Sequence, residues 1–499
     1  MKKIYKLIFT LSIFSLFFTG CSKFLDIEPP YTQDAENFFQ NEEDYVRALT
    51  GAYDLLQGMF VSYWIGDIAS DNTIAGGESV TDTEGLHQIE NMTHGAVNNE
   101  LRNLMRWNYC GIARCNFILE PKDVEIDFSS KATIMAEAKF LRAFYYFELV
   151  KVFGDVPLII DKRLGVQEVN QTIRTPKNEV YDQIEKDLNE AIAVLSFKAE
   201  SSHSGIKGRV DKGAALGLLG KVHLYQQEWP TAAQAFSLLI NSGYYSLTTD
   251  YADIFLKSSE NNSETVFDVE YSGQEGGSYG CLICLEGNLA PGFQGIRQYD
   301  GPVYGDGNSY NLPTQDLFNS FENYDPRRDL TCLNLDYFIS QQPNAADLTY
   351  NQGGGGHTGF YNNKYIKSRA EMLNGIPDND LTSGVNYRVI RYADILLMAA
   401  EAKHGSGDDA NALTYLNEVR ARVGLSPKTL ISSDQLYEDI LTERRSELSC
   451  EGHRFFDLVR TNKAADVING FVVGKHELFP IPQDEIDLAG GNWSQNPGY

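Results

Sequence analysis

Cysteine is scarce in this chain of 499 residues, with seven in all: Cys21, Cys110, Cys115, Cys281, Cys284, Cys332 and Cys450. That density excludes a disulfide-built scaffold at this length. Cys281 and Cys284 form a lone C-x-x-C. It has neither the second pair nor the nearby histidines of a structural zinc site, and its glycine-rich setting lacks the βαβ context of a thioredoxin-like centre, so it reads as an incidental pair or a local disulfide. Positive charge is also short, with 42 Lys and Arg against 68 Asp and Glu and a formal net charge of −26. Such a surface repels nucleic-acid phosphates and anionic headgroups, which makes both poor partners for it. Catalytic signatures are missing as well. There is no Walker A, no G-x-S-x-G and no H-E-x-x-H, and the eight histidines are scattered. Gly354, Gly356 and Gly359 satisfy G-x-G-x-x-G, but no apolar strand precedes them and no helical pattern follows, so the dinucleotide reading fails in context. No pair of carboxylates stands out for glycoside hydrolysis. The expectation is a non-enzyme without cofactor or metal.

What is present begins at the N-terminus. Lys2, Lys3 and Lys6 precede an apolar run from Leu7 to Phe18, and Thr19 and Gly20 lead into Cys21. A basic region, a short apolar core and a small-residue exit read as a secretory signal peptide over residues 1–20. The Cys directly after the small pair resembles a bacterial lipobox, with Phe18 where Leu is usual. Cys21 is then the acylated residue, and its chains anchor an otherwise soluble body to a membrane. No later run reaches membrane-spanning length.

Most of the body has helical periodicity. Asn41 to Phe60 puts Tyr45, Leu49, Ala52 and Leu56 on one face, and Ala136 to Phe153 is apolar nearly all round, which predicts a central helix. A further helix is expected from Pro176, with Thr175 as its N-cap. Two later helix pairs repeat one another. Leu216, Leu219 and Gly220 precede Ala232 and Phe236, just as Leu396, Ala399 and Ala400 precede Ala412 and Leu416. A small residue, an Ala twelve on and a large apolar residue four further match the tetratricopeptide positions, where the small residue admits the neighbouring helix and the large one fills the gap. Between Tyr251 and Tyr387 the pattern fades, and Ser272 to Asn311 holds ten glycines in forty residues, interspersed with Tyr279, Phe293, Tyr299, Tyr304 and Tyr310. Glycine permits close backbone approach and tyrosine offers a flat apolar face with a polar tip, which predicts an ordered, ligand-facing insertion.

The densest charge pattern is ERRSELSCEGHRFFDLVR from Glu443 to Arg460. It reads as an ion-pair network clamping a helix onto the core rather than as an acid/base centre. Together with CSKFLDIEPP at Cys21 to Pro30, EAKFLRAFYYFELVKVFGDVPLI at Glu137 to Ile159, RYADILLMAAEA at Arg391 to Ala402, YLNEVRARVGL at Tyr415 to Leu425, LFPIPQDEID at Leu478 to Asp487 and NWSQNPGY at Asn492 to Tyr499, it resembles the SusD/RagB family of Bacteroidetes nutrient-uptake lipoproteins. Thr461 stands where that family commonly has Trp. The resemblance implies a mainly α fold in which tetratricopeptide-like hairpins carry a loop-rich ligand surface. The implied divisions are an N-terminal helical half over 21–250, an insertion over 251–387 and a C-terminal helical half over 388–499, the two halves packing as one body. It also implies a lipid-anchored, surface-exposed outer-membrane protein. Such a protein captures oligosaccharide without cleaving it and delivers it to a SusC-like TonB-dependent barrel transporter.

Sugar sites need aromatic platforms for ring faces and polar side chains for hydroxyl edges. Two stretches supply that mixture: Trp64 to Asn72 and Phe293 to Tyr310. The residues expected to bind ligand are Trp64, Asp67, Asn72, Phe293, Arg297, Tyr299 and Tyr304, while Trp107 is assigned to the core. A peptide ligand on the same fold is the alternative. A glycoside hydrolase and a purely structural repeat adaptor are the readings from other classes, the second leaving the glycine- and tyrosine-rich insertion unexplained.

Overall fold

Asn41 starts the first helix, α1 (Glu42–Asp54), through a capping box with Asp44, and α1 buries Tyr45, Leu49 and Ala52 as its periodicity predicts. The computed structural model describes residues 38–121, 126–160, 162–198, 207–274, 279, 286–372, 378 and 381–499. The signal peptide, Cys21, Cys281 and Cys284 lie outside the described residues. α1 does not run on to Phe60. Leu55–Met59 tighten into a 3-10 turn, and α2 (Phe60–Ile68) then buries every one of its residues. The sequence FVSYWIGDI has almost no polar circumference, and a helix of that kind must be covered on all sides. The stretch expected to lie open after the first helix therefore begins inside the core.

α3 (Asn99–Leu119) and α4 (Lys131–Phe153) follow, and α4 is the expected central helix. Its Tyr145 and Tyr146 are buried because their hydroxyls donate to the carbonyls of Ala52 at 2.6 Å and Ile159 at 2.9 Å. α5 (Lys177–Val194) has Pro176 as its N-cap rather than its first turn, because Thr175 pairs with Val156 in a β-bridge. The remaining main helices are α6 (Lys212–Tyr225), α7 (Trp229–Ile240), α8 (Tyr392–Gly405), α9 (Asp409–Arg422), α10 (Ser433–Leu448) and α11 (Arg454–Arg460). From α3 to α9 each packs on the next, and α10 packs on α8. α7 meets α8 directly although residues 241–391 intervene. The repeat logic is steric: a Cβ on Gly220 would lie 2.4 Å from the Phe236 ring. Ala400, Ala412 and Leu416 of the second pair are fully buried.

The strands are short: β1 (Thr73–Gly76), β2 (Thr265–Val269), β3 (Tyr310–Pro313), β4 (Cys332–Asn334), β5 (Phe360–Asn362) and β6 (Tyr387–Arg391). β2 and β6 pair antiparallel, with Asp268 opposite Arg388, so the intervening segment leaves and rejoins the helices through one ribbon. β1 pairs with β3 and β4 with β5. The segment is less open than its glycines suggested. Ile296, Tyr299, Leu312, Leu333, Leu335 and Tyr361 form a satellite core, and Leu317, Phe321, Cys332, Phe360 and Cys450 form another. The glycines near 354 bring backbones together: a Cβ on Gly355 would lie 2.0 Å from the Gly76 carbonyl oxygen.

An ion network joins this segment to the helices. Glu447 of α10 receives Arg391 at 2.5 Å, Arg327 at 2.9 Å and Arg422. Arg327 also reaches Glu443 at 2.6 Å, Arg391 reaches Glu264 at 2.9 Å and Glu451 at 2.7 Å, and Lys364 reaches Glu451 at 2.6 Å. All of these side chains are buried. Burial alone would raise the Glu447 carboxyl, but Arg422, Arg391 and Arg327 hold it well below the usual carboxylate range. The clamp expected from the Glu443–Arg460 pattern is therefore present and reaches further, binding Arg327, Lys364 and Glu264 of the insertion. Among the described residues, Cys110, Cys115, Cys332 and Cys450 are unpaired, and no helix is long and apolar enough to cross a membrane.

Candidate functional site: an aromatic face

α2, α3 and the first part of the insertion converge on one aromatic cluster. Phe60 lies 5.2 Å from Trp64 and 5.7 Å from Trp107, centroid to centroid. Trp64 lies 5.5 Å from Phe293 and 6.1 Å from Tyr310, and Phe293 is 5.7 Å from Tyr310 and 6.3 Å from Tyr279. The two stretches singled out in the sequence thus meet, but their aromatic rings form the floor. Trp64 is 4% exposed and Phe293 8%, too little to offer a ring face to a sugar. The surface belongs to Trp107, which packs on the core while keeping part of its surface open, and to Tyr279, which is 54% exposed. Trp107 seats itself over Gly58, where any Cβ would come within 2.6 Å of its ring.

A polar rim borders these rings. Asn308 donates to the Tyr279 hydroxyl at 3.1 Å, and Gln57 donates to Glu286 at 3.3 Å. Arg297 stands 3.5 Å from Glu78 and 3.6 Å from Asp82, and Asp82 also hydrogen-bonds Tyr310. The Nε of Arg297 is buried without a partner. Rings open on one face, amides and a guanidinium on the edge, and a preformed floor make a surface suited to a flat, hydroxyl-rich ligand.

The other expected ligand residues sit elsewhere. Asp67 is fully buried, accepting from the Gly452 amide at 3.0 Å and from Asn311 at 3.2 Å. Burial pushes its carboxyl up to about 7. It closes a network in which Gln294 Oε1 accepts from Tyr63, from Asn311 at 2.8 Å and from Asn362 at 3.1 Å, tying α2 to the insertion. Asn72 is fully buried against Arg445, whose Nε donates to it at 2.9 Å. Tyr299 is 2% exposed in the satellite core, beside Tyr304 at 6.0 Å. Asp67, Asn72 and Tyr299 are thus interior residues: Asp67 is engaged in internal bonds, Asn72 is engaged through its Oδ1 while its Nδ2 has no protein partner, and the Tyr299 hydroxyl is left unmatched. Tyr304 is half-buried and borders a different cleft of about 630 Å3, shared with Phe255, Val303 and Ile366.

Sequence reasoning missed Trp107 as a surface residue. Its spacing to Gly111 placed it with the buried face of α3, and only the contact with Gly58, distant in sequence, reveals that it sits at the edge of that face. Three described residues could together approach a cation: Glu185, His223 and Glu228 have ligand atoms within 4.8 Å of one another. His223 and Glu228 sit at the α6–α7 turn and Glu185 on the neighbouring α5, and His223 Nδ1 is already 2.6 Å from Glu228.

Comparison with known proteins follows the same lines. A family description of starch-binding proteins associating with the outer membrane matches residues 23–224, and the SusD family description matches residues 263–499. A laminarin-binding SusD-like protein of known structure is 34% identical, with a TM-score of 0.82 over 92% of this chain and 100% of its own. This chain belongs to the SusD family. A SusD-like protein of Formosa agariphila is 26% identical over 97% of this chain and 96% of that protein. The starch-binding protein SusD of Bacteroides thetaiotaomicron is 25% identical over 78% of this chain and 76% of its own length. A surface glycan-binding protein of Bacteroides thetaiotaomicron, solved with laminarihexaose, is 28% identical with a TM-score of 0.79, covering 92% of this chain and 100% of its own. The SusD fold accounts for the helical stack, and the family matched over residues 23–224 is one that associates with the outer membrane.

Proposed function

We propose that this SusD-family chain is a cell-surface glycan-binding protein that holds oligosaccharide on the aromatic face and passes it, uncleaved, to a barrel transporter of the outer membrane. Cys21 carries the lipid anchor in this reading, and the segment 251–387 supplies one wall of the site. The observation that carries it is the aromatic cluster that reaches the surface at the exposed Tyr279 and the half-buried Trp107, bordered by Asn308, Arg297 and Asp82. Two similar structures bear laminarin or laminarihexaose in their descriptions, which makes a β-glucan of that kind the first ligand to try. The absence of catalysis is part of the proposal. It is supported by the engagement of two rim carboxylates, Glu78 and Asp82, with Arg297, and of Asp82 with Tyr310, rather than with one another.

The test is calorimetric titration with laminarihexaose, maltohexaose and a mixed peptide pool. Binding of a hexasaccharide without new reducing ends is the expected result, and binding of peptide alone would replace the glycan reading. Cys21→Ala should release the protein from membranes, and a variant that remained lipid-labelled would remove Cys21 from its role.

A further inference from the structure

A second pocket, of about 320 Å3, opens among α10, α11 and the turn after α2. It shares no lining residue with the aromatic face. Asn72 and Ser449 line it, and both are buried, at 0% and 1% exposure. Each ends in a buried polar atom without a protein partner, Nδ2 of Asn72 and Oγ of Ser449. The Asn72 amide is oriented by its Oδ1, which accepts from Arg445, so its Nδ2 is an unused donor. A buried group left in that state costs about 1–3 kcal/mol unless something occupies the pocket to accept from it.

Charge points to what that acceptor is. Arg444, Arg445, Arg454 and Lys463 line the pocket with Glu438, Asp457 and Asp466. Arg444 is held by Asp394 and Asp457 and Lys463 by Glu438, which leaves Arg445 and Arg454 as the cations a ligand can draw on. Arg445 and Arg454 share Asp71, at 3.0 and 2.8 Å. The further carboxylate held by Arg445, Asp316, is 72% exposed and so weakly coupled. Leu441, Leu458 and Val467 complete the wall and call for a ligand with a carbon body rather than a bare ion.

We propose that this pocket binds the oxyanion substituent of a sugar-sized ligand, a uronate carboxylate or a sulfate ester. Asn72 Nδ2 and Ser449 Oγ donate to it, and the guanidiniums of Arg445 and Arg454 supply the charge. The family protein would then carry an acidic-sugar site in addition to its neutral aromatic face, and the two sites stand or fall separately.

The experiment is calorimetric titration and thermal melting of the full-length protein with glucuronate, glucose 6-sulfate and glucose at one ionic strength. At least one charged sugar should bind and raise the melting temperature, while glucose does neither. Carboxylate-only or sulfate-only binding identifies which oxyanion the site prefers. Thr461→Trp places a large side chain at a half-buried position of the lining and should abolish binding. Asn72→Asp should weaken binding about tenfold or more by turning a donor into a like charge, and Ser449→Ala supports the same conclusion should that variant fold poorly. Trp107→Ala should leave the charged sugar's affinity unchanged. Failure of both charged sugars to bind, equal binding of glucose, or unaltered affinity in Thr461→Trp would overturn the proposal.

Discussion

The helical stack and the inserted segment use aromatic residues in opposite relation to their sequence pattern. In the stack, periodicity and burial agree: Phe140, Phe144, Phe147 and Phe236 recur at helical spacing, and all are buried. In the insertion no period exists, and tyrosines set among glycines look like surface groups. Yet Tyr299 and Tyr310 are 2% and 5% exposed, while Tyr279 of the same stretch is 54% exposed. Composition says that a segment has apolar area to bury. Only tertiary contacts say which of its residues bury it.

The largest expected effect comes from breaking the weld between the two regions. Glu447→Gln leaves Arg327, Arg391 and Arg422 without their shared carboxylate and should cost about 3–5 kcal/mol in chemical denaturation. If stack and insertion fold as one unit, fluorescence and circular dichroism transitions should shift together. A variant that unfolds in two steps would show that the insertion is a separate unit.

Next in size is Tyr299→Ala. A surface tyrosine would tolerate the change, whereas a satellite-core tyrosine should lose about 2–4 kcal/mol of stability. Tyr299 also refines the comparison, because its hydroxyl is buried without a partner. Tyr299→Phe removes that orphan and should be neutral or stabilising by up to about 1 kcal/mol. A clear destabilisation by Phe would mean that the hydroxyl is engaged after all.

A pH series tests the polar network between the regions. Burial holds the Asp67 carboxyl up to about 7, against about 3.9 in an unfolded chain. Between those values the folded protein keeps a proton that the unfolded chain releases. The stability from this group is therefore complete below about pH 4 and is lost as pH rises through about 7. Asp268 acts in the same direction, while His94 and His453, which burial holds neutral down to about 3, act in the opposite one. All three are common to the parent and to Asp67→Asn, so the difference isolates Asp67. The stability of Asp67→Asn relative to the parent should improve by about 1–3 kcal/mol from pH 4.5 to 7.5. A difference that stays flat would show that the Asp67 charge is fully compensated.

The legible part of the molecule follows from these contrasts. The hairpins of α6–α7 and α8–α9 were readable because Gly220 and Ala400 precede their partners at one spacing, and helix packing is a local, periodic problem. The Glu443–Arg460 network was readable as a clamp, though not its reach to Arg327 and Lys364, because charge at helical spacing does not name a partner a hundred residues away. Of the proposed site, only the neighbourhood is legible in the sequence. Trp64, Phe293 and Arg297 do come together at the proposed aromatic face, but exposure is decided by what packs above, and neither Trp64 nor Trp107 carries that information in its own segment. Asp67 misled because a polar residue after an aromatic one looks the same whether its partner is a sugar hydroxyl or an amide of the protein, here Gly452 N and Asn311 Nδ2, and Asn72 lies away from the aromatic face, against Arg445.

The central claim is that the ligand rests on Trp107 and Tyr279, with the inner tyrosines of the insertion as structure. Titration of laminarihexaose into the parent, Trp107→Ala, Tyr279→Ala and Tyr304→Ala, with a thermal melt of each, tests it most directly. The account predicts that Trp107→Ala and Tyr279→Ala each weaken binding by about 1 kcal/mol or more. Tyr279→Ala should change stability by under about 1 kcal/mol, whereas Trp107→Ala also removes packing on Phe60 and Gly58 and should lower it. Tyr304→Ala should keep the affinity and lower the melting temperature. Full affinity in both face variants together with lost binding in Tyr304→Ala would move the site to the cleft beside Phe255 and contradict the account.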